Sequence, residues 1–382
     1  MQRFDAIVVG LGAHGSATAA VLARRGLRIL GLERFGRGET FGSSGGRSRM
    51  IRLAYFEDPS YVPLARASWH GWEALEAETG TSLLTRTGGL YAGPADSSVV
   101  AGSVHSAREH DLVHEVLDAA EIHRRWPVFR PSLDTVGLWE ERAGVIRADL
   151  ANEAHLRVAE RGGATLRFGA RVVGWRPVDG GGFEVETDDG SVAGAACLVL
   201  TAGPWTSALV PSLRLPLVVE RQPVLWFEPT IDPAELSGER LPVWLMATGD
   251  GVFYGFPYDS SLGLKVSLHH TGVFVDPDDA GREVTDADEA RVRGFIRSRM
   301  PAVDGRLRTS TVCLYTNAPD DHFVIDRHPA ADGVAFASAC SGHGFKYAPL
   351  IGEILADLAT TGSTRWPIDG FRSGRFGGPQ IA

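Results

Sequence analysis

The chain has 382 residues, 44% of them hydrophobic and 22% charged, which is an ordinary balance for a globular protein of about two domains. A net charge of −9 and scattered arginines argue against a surface for nucleic acid or an anionic membrane. Three cysteines are too few for a disulfide framework, and no apolar run approaches the ~20 residues of a membrane span, so we expect a cytoplasmic protein.

The N-terminal segment predicts a βαβ unit. Residues 4–9 form an apolar run typical of a strand buried on both faces, and residues 16–25 predict a helix of small side chains that ends at Gly26. Residues 27–32 predict a second strand, which closes on Glu33. Asp5 interrupts the apolar N-terminus, so we do not expect a signal peptide.

The turn inside this unit has the sequence GLGAHG, with Gly10, Gly12 and Gly15. Glycine there permits a tight turn, close approach of a pyrophosphate and close helix–strand packing, while the helix N-terminus offers free N–H groups to the phosphate. Glu33 lies at the spacing where a carboxylate accepts from ribose hydroxyls, which disfavours a 2′-phosphate. The unit therefore predicts NAD or FAD rather than NADP.

The remaining elements alternate between two kinds of region. Residues 86–91 predict a strand leaving the nucleotide domain, a polar helical stretch follows to about residue 125, and an amphipathic helix is expected at 150–160. Further strands are predicted at 170–178, 183–187, 197–203, 252–256 and 264–269, the last two within a strand-rich region from 216 to 315. A glycine turn at 342–344 and a helix at 347–360 follow. The chain thus passes back and forth between two domains.

Lysine is rare in this chain, which has thirty-six arginines and only two lysines, Lys265 and Lys346. Arginine replaces lysine readily on a solvated surface, but not where a compact ammonium with an adjustable pKa is needed. Lys265 precedes His269 by four residues, a spacing that places both side chains on one face of a strand. Both lysines are therefore candidates for functional roles.

Several segments, in chain order, resemble the monomeric sarcosine oxidase and N-methyl-L-tryptophan oxidase family. They are RMIRLAY at 49–55, FYGFP at 253–257, Lys265 with His269, TVCLYTNAPDDHF at 311–323 and SGHGFK at 341–346. The resemblance implies an α/β fold in which a Rossmann-type FAD-binding domain (1–85, 150–215 and 316–382) is interwoven with a smaller sheet-based α+β substrate domain (86–149 and 216–315). It also implies a monomer, and we predict no metal site.

The resemblance implies two overlapping sets of site residues. The catalytic set is Arg49, Arg52, Tyr254, Lys265, His269, Tyr315 and Lys346. The FAD-binding set is Gly10, Gly12, Gly15, Glu33, Arg34, Ser43, Ser44, Arg49, Val172, Cys313, Gly342, Gly344, Phe345 and Lys346. Cys313 is implied to bond covalently to the flavin, as a thiolate can do. Cys340 is the alternative nucleophile.

Family roles can be assigned to several of these side chains. Lys346 is expected to bind a substrate carboxylate together with the planar fork of Arg52, and to favour oxygen reduction. Lys265 is expected to contact the flavin ring, and His269 to tune amine protonation because its ordinary pKa lies near neutrality. Ser43 and Ser44 stand where the family usually has a histidine pair, and Arg47 has no family role that we can assign.

The implied activity is oxidation of a secondary amino acid, N-methylated or cyclic, by FAD and oxygen, with hydrogen peroxide as a product. Three alternatives stay open at this point: an NAD-dependent dehydrogenase, an FAD enzyme that reduces another acceptor, such as a dehydrogenase of amines or D-amino acids, and a non-catalytic flavin-binding subunit.

Overall fold

A computed structural model describes residues 2–39 and 41–377. The strands are β1 Gln2–Val9, β2 Ile29–Leu32, β3 Ser48–Ile51, β4 Leu84–Arg86, β5 Gly89–Pro94, β6 Glu115–Asp118, β7 Thr135–Glu140, β8 Gly144–Arg147, β9 Thr165–Arg167, β10 Val172–Pro177, β11 Phe183–Thr187, β12 Val192–Leu200, β13 Val218–Phe227, β14 Val243–Thr248, β15 Gly251–Gly255, β16 Leu264–His269, β17 Leu307–Asn317, β18 Val324–Arg327 and β19 Val334–Ser338. The helices are α1 Ala13–Arg24, α2 Tyr61–Thr79, α3 Ser98–Glu109, α4 Ala119–Arg125, α5 Ala148–Arg161, α6 Thr206–Leu209, α7 Asp286–Arg299 and α8 Ala348–Thr361.

One eight-stranded sheet has the order β10-β11-β12-β1-β2-β9, with β19 also paired to β12 and β18 paired to β19. Strands β12, β1, β2 and the edge strand β9 run parallel, as does β19 beside β12. The carboxyl ends of parallel strands meet at one edge of a sheet, where doubly wound proteins bind their ligands. The loops that begin at Gly10, Glu33 and Thr201 all leave from this edge.

A second eight-stranded sheet has the order β17-β13-β16-β15-β14-β5-β7-β6 and is antiparallel except where β14 pairs with β5. Because side chains alternate along a strand, one face of this sheet presents every second residue. On that face, β16 places Lys265 and His269, and β17 places Cys313 and Tyr315. A three-stranded sheet, β3-β8-β4, carries the arginine segment that begins at Arg49.

The core of the first sheet is built from small residues facing large ones. Helix α1 is rich in alanine and packs between α5 and α8. Its backbone lies so close to α8 that a β-carbon on Gly352 would fall 2.7 Å from the carbonyl carbon of Ala17. Helix α8 fills the remaining space with buried leucine and isoleucine side chains. The glycine turn before α1 is thereby held by a rigid support.

The predicted fold class is confirmed: the chain is α/β, with a Rossmann-type domain and a second sheet-based region. The expected helical stretch to residue 125 is wrong in detail, because the edge strand β6 separates α3 from α4. Only four residues long and largely exposed, β6 has no clear alternation of apolar and polar residues to reveal it.

The domain boundaries stay a proposal, and the strands of the three-stranded sheet come from both proposed domains. None of the helices in the described ranges has the length and apolarity to cross a membrane.

Candidate functional site

A single cavity of about 780 Å³ lies between the first sheet's carboxyl edge and one face of the second sheet. Every predicted site residue except Gly15 contributes to its wall: Gly10, Gly12, Glu33, Arg34, Ser43, Ser44, Arg49, Arg52, Val172, Tyr254, Lys265, His269, Cys313, Tyr315, Gly342, Gly344, Phe345 and Lys346. Cys340 and Arg47 line it as well. Residues more than 300 positions apart in the sequence thus meet in one space.

The glycine turn forms one end of the cavity. Gly10 adopts a φ of +86°, which favours glycine, and a β-carbon on Gly15 would lie 1.8 Å from the Gly10 carbonyl oxygen. Gly15 is therefore a packing residue beneath the turn rather than part of the wall. Ser44 accepts a hydrogen bond from the Ala13 backbone N–H at 3.0 Å, which ties its loop to the start of α1.

Glu33 closes the turn from the end of β2. Its two carboxylate oxygens accept from the backbone N–H groups of Leu11 at 2.7 Å and Phe35 at 3.1 Å. Burial raises the pKa of this carboxyl group above its ordinary value, while these hydrogen bonds and Arg34 oppose the rise. A fixed acceptor at this position suits a ribose hydroxyl, as the sequence motif predicts.

A strap, defined as residues 270–284, crosses from the second sheet to this end of the cavity. Its Asp278 pairs with Arg34 at 2.7 Å and accepts from the Trp205 indole N–H at 2.8 Å. The Arg34 guanidinium lies 4.7 Å from the Trp205 ring centroid, within cation–π range. The strap therefore joins the second sheet to the loops that follow β2 and β12, a contact that the sequence did not reveal.

The wall also holds buried polar atoms that have no partner within the described chain. They are the Ser43 and Ser338 hydroxyls, the Asn152 side-chain oxygen and the Gln222 side-chain oxygen. Buried polar groups are normally hydrogen-bonded, so several unsatisfied ones around a cavity indicate a polar occupant. Together with the glycine turn, they fit FAD, which presents phosphate, ribose and ring acceptors and donors over a long molecule.

Cys313 lies on β17 beside two cations. Its sulfur is 4.0 Å from the Arg49 guanidinium. A β-carbon on Gly46 would fall 3.4 Å from the Cys313 sulfur and 3.7 Å from the Lys265 ammonium, so both groups flank the same glycine. Nearby positive charge stabilises the sulfur when it acts as a nucleophile. Because Cys340 lines the same cavity, position alone leaves both cysteines as candidates.

Lys265 is only 2% exposed, and its ammonium has three acceptors: the Gly46 carbonyl at 3.2 Å, the Ser48 carbonyl at 3.0 Å and the Ser48 hydroxyl at 3.3 Å. The Phe256 ring centroid is 4.6 Å from the same nitrogen. Burial lowers the pKa of Lys265 well below its ordinary value, and the Arg49 charge lowers it further. No carboxylate in the described chain pairs with it.

Lys346 is 5% exposed and lies on the single turn Phe345–Tyr347 before α8. Its ammonium donates to the His343 carbonyl at 2.6 Å and to the Tyr55 hydroxyl at 3.3 Å. Its backbone carbonyl accepts from Ser68 and Trp72 of α2. An ammonium has three N–H groups, so one is left to donate into the cavity.

Arg52 stands beside Lys346, but its fork is partly occupied. One guanidinium nitrogen lies 2.6 Å from both carboxylate oxygens of Glu57, and the other donates to the Ala54 carbonyl at 3.1 Å. Burial raises the pKa of Glu57, but the Arg52 charge and hydrogen bond, together with His343 and Lys346, outweigh it and bring that pKa to about 2. Arg52 is thus already part of a buried ion pair, and Glu57 is a site residue that sequence reasoning missed.

Three predicted residues of the cavity wall contact one another. The His269 imidazole lies 3.4 Å from the Tyr315 hydroxyl, and Tyr254 is in edge contact with His269. A β-carbon on Gly342 would fall 2.7 Å from His269, so a glycine lets the loop approach the histidine closely. Burial, followed by neighbouring His270, lowers the pKa of His269 well below its ordinary value. His269 is therefore neutral at pH 7 and able to accept a proton or a hydrogen bond.

Comparisons with known proteins agree with this geometry. Residues 5–358 match the family described as FAD dependent oxidoreductase. The chain is 42% identical over 369 residues to the monomeric sarcosine oxidase of Streptomyces avermitilis, covering 96% of each chain. It is 33% identical to the N-methyl-L-tryptophan oxidase of Salmonella dublin, covering 98% of this chain and 100% of that one.

Among solved structures, the fold matches NikD, an unusual amino acid oxidase essential for nikkomycin biosynthesis, in its open form. The TM-score is 0.85 at 27% identity, over 97% of this chain and 98% of that chain. The chain belongs to the FAD-dependent oxidoreductases and, within them, to the family of monomeric sarcosine oxidases and N-methyl-L-tryptophan oxidases, and it is an FAD-dependent enzyme acting on a CH–NH group.

Proposed function

We propose that this enzyme oxidises a secondary amino acid, N-methylated or cyclic, and reduces oxygen to hydrogen peroxide. The observation that carries the proposal is that two basic side chains, Arg52 and Lys346, lie against the same Tyr55 ring and line the cavity that the glycine turn also lines; we call this part of the wall the carboxylate end. Such a pair recognises a carboxylate. The same cavity is lined by a neutral imidazole and two tyrosines, which suit an amine nitrogen.

When bound, FAD would supply the redox chemistry: it would take up a hydride from the C–H bond beside the amine nitrogen and give two electrons to oxygen. The chain's residues hold the substrate and move the proton. Lys346 contributes its remaining N–H to the carboxylate, and Arg52 contributes positive charge. His269 accepts a proton or hydrogen bond from the amine, because it is neutral and faces Tyr315. Arg52 and Lys346 are buried, and His269 is half-buried.

For an N-methyl substrate, loss of a hydride and a proton gives an imine, which takes up water and yields formaldehyde and the primary amino acid. A cyclic substrate yields a cyclic imine. Oxygen gains two electrons and two protons and becomes hydrogen peroxide. The FAD is held covalently through Cys313, which the position of Arg49 beside the sulfur supports.

The two lysines receive separate roles in this proposal. The sequence-based expectation gave the oxygen role to Lys346. The neighbours support a different division, because Lys346 lies beside Arg52 and Tyr55 at the carboxylate end while Lys265 lies beside Cys313. We therefore assign carboxylate binding to Lys346 and stabilisation of negative charge on oxygen to Lys265.

A substrate panel assayed for hydrogen peroxide under air tests the function. It contains sarcosine, N-methylated aromatic amino acids, proline, pipecolate and D-amino acids. Peroxide from one secondary amino acid is the expected result, and no peroxide from any of them would refute the oxidase. If a substrate bleaches the flavin anaerobically and oxygen restores its colour only slowly, the enzyme is instead a dehydrogenase that uses another acceptor.

A further inference from the structure

The cation pair at the carboxylate end shares one support, the fully buried Tyr55. The Arg52 guanidinium carbon lies 4.1 Å from the Tyr55 ring centroid, and the Lys346 nitrogen lies 5.2 Å from it. The Tyr55 backbone carbonyl in turn accepts from the Ser106 hydroxyl. One fixed ring thus contacts both cations, which sets their spacing.

The hydroxyl of Tyr55 has a direction that the neighbouring groups determine. His343 Nε2 lies 3.0 Å from the Asp321 carbonyl oxygen, which can only accept, so this ring nitrogen carries the proton. Burial lowers the pKa of His343 to about 3, so the ring is neutral at pH 7 and its Nδ1 is an acceptor. The Tyr55 hydroxyl donates to Nδ1 at 2.6 Å in preference to the His343 carbonyl at 3.4 Å.

A hydroxyl whose proton is given to His343 keeps its lone pairs for Lys346. The Lys346 ammonium donates to that oxygen at 3.3 Å and to the His343 carbonyl at 2.6 Å. These two bonds fix the direction of the third N–H, which is the one facing the substrate. A directed chain therefore runs from Lys346 through Tyr55 and His343 to the Asp321 carbonyl.

We propose that Tyr55, oriented by His343, is a positioning residue for carboxylate recognition: its ring spaces Arg52 and Lys346, and its hydroxyl aims the Lys346 ammonium. The inference rests on the proposed function to the extent that the substrate carries a carboxylate. Tyr55 does not act on the amine, so its removal affects carboxylate ligands and spares neutral ones.

The test uses Tyr55→Phe, which keeps the ring and removes only the hydroxyl. The matched control is Tyr61→Phe, because Tyr61 is equally buried and stacks on Tyr55, yet its hydroxyl bonds to His322 instead of Lys346. The probes are methoxyacetate, an ether analogue of sarcosine that cannot be oxidised at nitrogen, and its neutral amide, methoxyacetamide. Binding to the FAD-loaded enzyme is followed through the flavin absorbance spectrum.

We expect Tyr55→Phe to weaken methoxyacetate binding roughly tenfold, as for loss of a hydrogen bond to a charged group, and to change methoxyacetamide binding less than about twofold.

The upper pH limit of methoxyacetate binding should also move to lower pH, because an acceptor that stabilises the Lys346 ammonium is lost. The groups facing Lys346 are Arg49, Arg52, Tyr55, Glu57, Cys340, His343 and Tyr347. Tyr61→Phe should leave both ligands and the pH limit unchanged.

Three results would overturn the inference: unchanged methoxyacetate binding in Tyr55→Phe, equal weakening of both ligands, or the same loss in Tyr61→Phe. If Tyr55→Phe does not fold, His343→Phe replaces it, since the new ring can keep the stack on Phe323 while the acceptor for Tyr55 disappears. That variant should also weaken methoxyacetate selectively. The oxidase proposal can fail while this inference holds. In that case methoxyacetate binding depends on Tyr55, but no secondary amine is oxidised.

Discussion

At the residue scale, Lys265 and Lys346 differ in how their N–H groups are used. Lys265 donates to three protein acceptors, so it has no free N–H for a hydrogen bond to a ligand. Lys346 has two acceptors and retains one N–H for a ligand. The two lysines therefore serve different purposes in one cavity. Arginine has a larger planar head, which explains why it replaces neither lysine.

Replacing each lysine with methionine should separate the two purposes. We expect Lys265→Met to slow oxygen-dependent reoxidation about 100-fold or more, the usual effect of losing one preorganised charge, with little change in substrate affinity. Lys346→Met should instead raise KM for the substrate and leave reoxidation nearly unchanged. Stopped-flow mixing of anaerobically reduced enzyme with oxygen measures the first quantity. The reverse pattern would return the oxygen role to Lys346.

The covalent attachment is also a residue-scale question, and the two cavity cysteines give a matched pair. We expect Cys313→Ala to release all its FAD on acid precipitation, while Cys340→Ala keeps yellow protein in the pellet like the parent enzyme. Mass spectrometry of the flavin peptide gives an independent measurement. Flavin that stays bound in Cys313→Ala but not in Cys340→Ala would assign the bond to Cys340.

At the scale of elements, the strap at residues 270–284 links the second sheet to the nucleotide end of the cavity through Asp278. Two groups of the first sheet's edge loops, Arg34 and Trp205, hold that one carboxylate. Because an exposed ion pair alone contributes little, the indole hydrogen bond and the cation–π contact are needed to make the link effective. The strap should therefore retain FAD.

Asp278→Asn tests this retention in a Cys313→Ala background, where FAD is free to leave. We expect the FAD dissociation rate to rise several-fold, measured by the fluorescence of released flavin. Neighbouring Asp279→Asn is the control, since the Asp279 carboxylate has no hydrogen bond or ion pair within the described ranges. Equal rates in the two variants would show that the strap does not hold the cofactor.

At the scale of the whole molecule, buried neutral histidines make the fold sensitive to acid. Burial lowers the pKa of His14 to about 4, and those of His155 and His343 to about 3. Each group binds a proton more readily when unfolded, so the free energy of unfolding is fully retained above pH 6.5 and falls as the pH drops toward the folded pKa.

His155 is the best of these for a measurement, because it lies outside the catalytic cavity, beside Trp72. Between pH 7 and pH 5 it should contribute a loss of about 2 kcal/mol in unfolding free energy. We expect His155→Phe to remove that part of the pH dependence, measured by denaturant unfolding at both values. His105→Phe, at an exposed position, should leave the dependence as it was.

A feature of this molecule can be predicted from the sequence when the residues that define it lie close together in the chain. The glycine turn and Glu33 are readable because neighbouring residues define them. Glu57 and Asp278 were missed because their importance comes from partners, Arg52 and Arg34, that no spacing rule connects to them. The Tyr55 hydroxyl belongs to the same class: its direction depends on His343, which is 288 positions away in the sequence.

Because the chain passes repeatedly between the two sheets, the parts of the FAD site are synthesised at different times. The glycine turn emerges early from the ribosome, but the wall opposite it comes from β17 and the loop after β19. A nascent chain therefore exposes the phosphate-binding turn before the residues that would cover the flavin ring have been synthesised. Loading with FAD should accordingly follow translation, and the pool of empty enzyme in a cell should grow when synthesis outpaces the flavin supply.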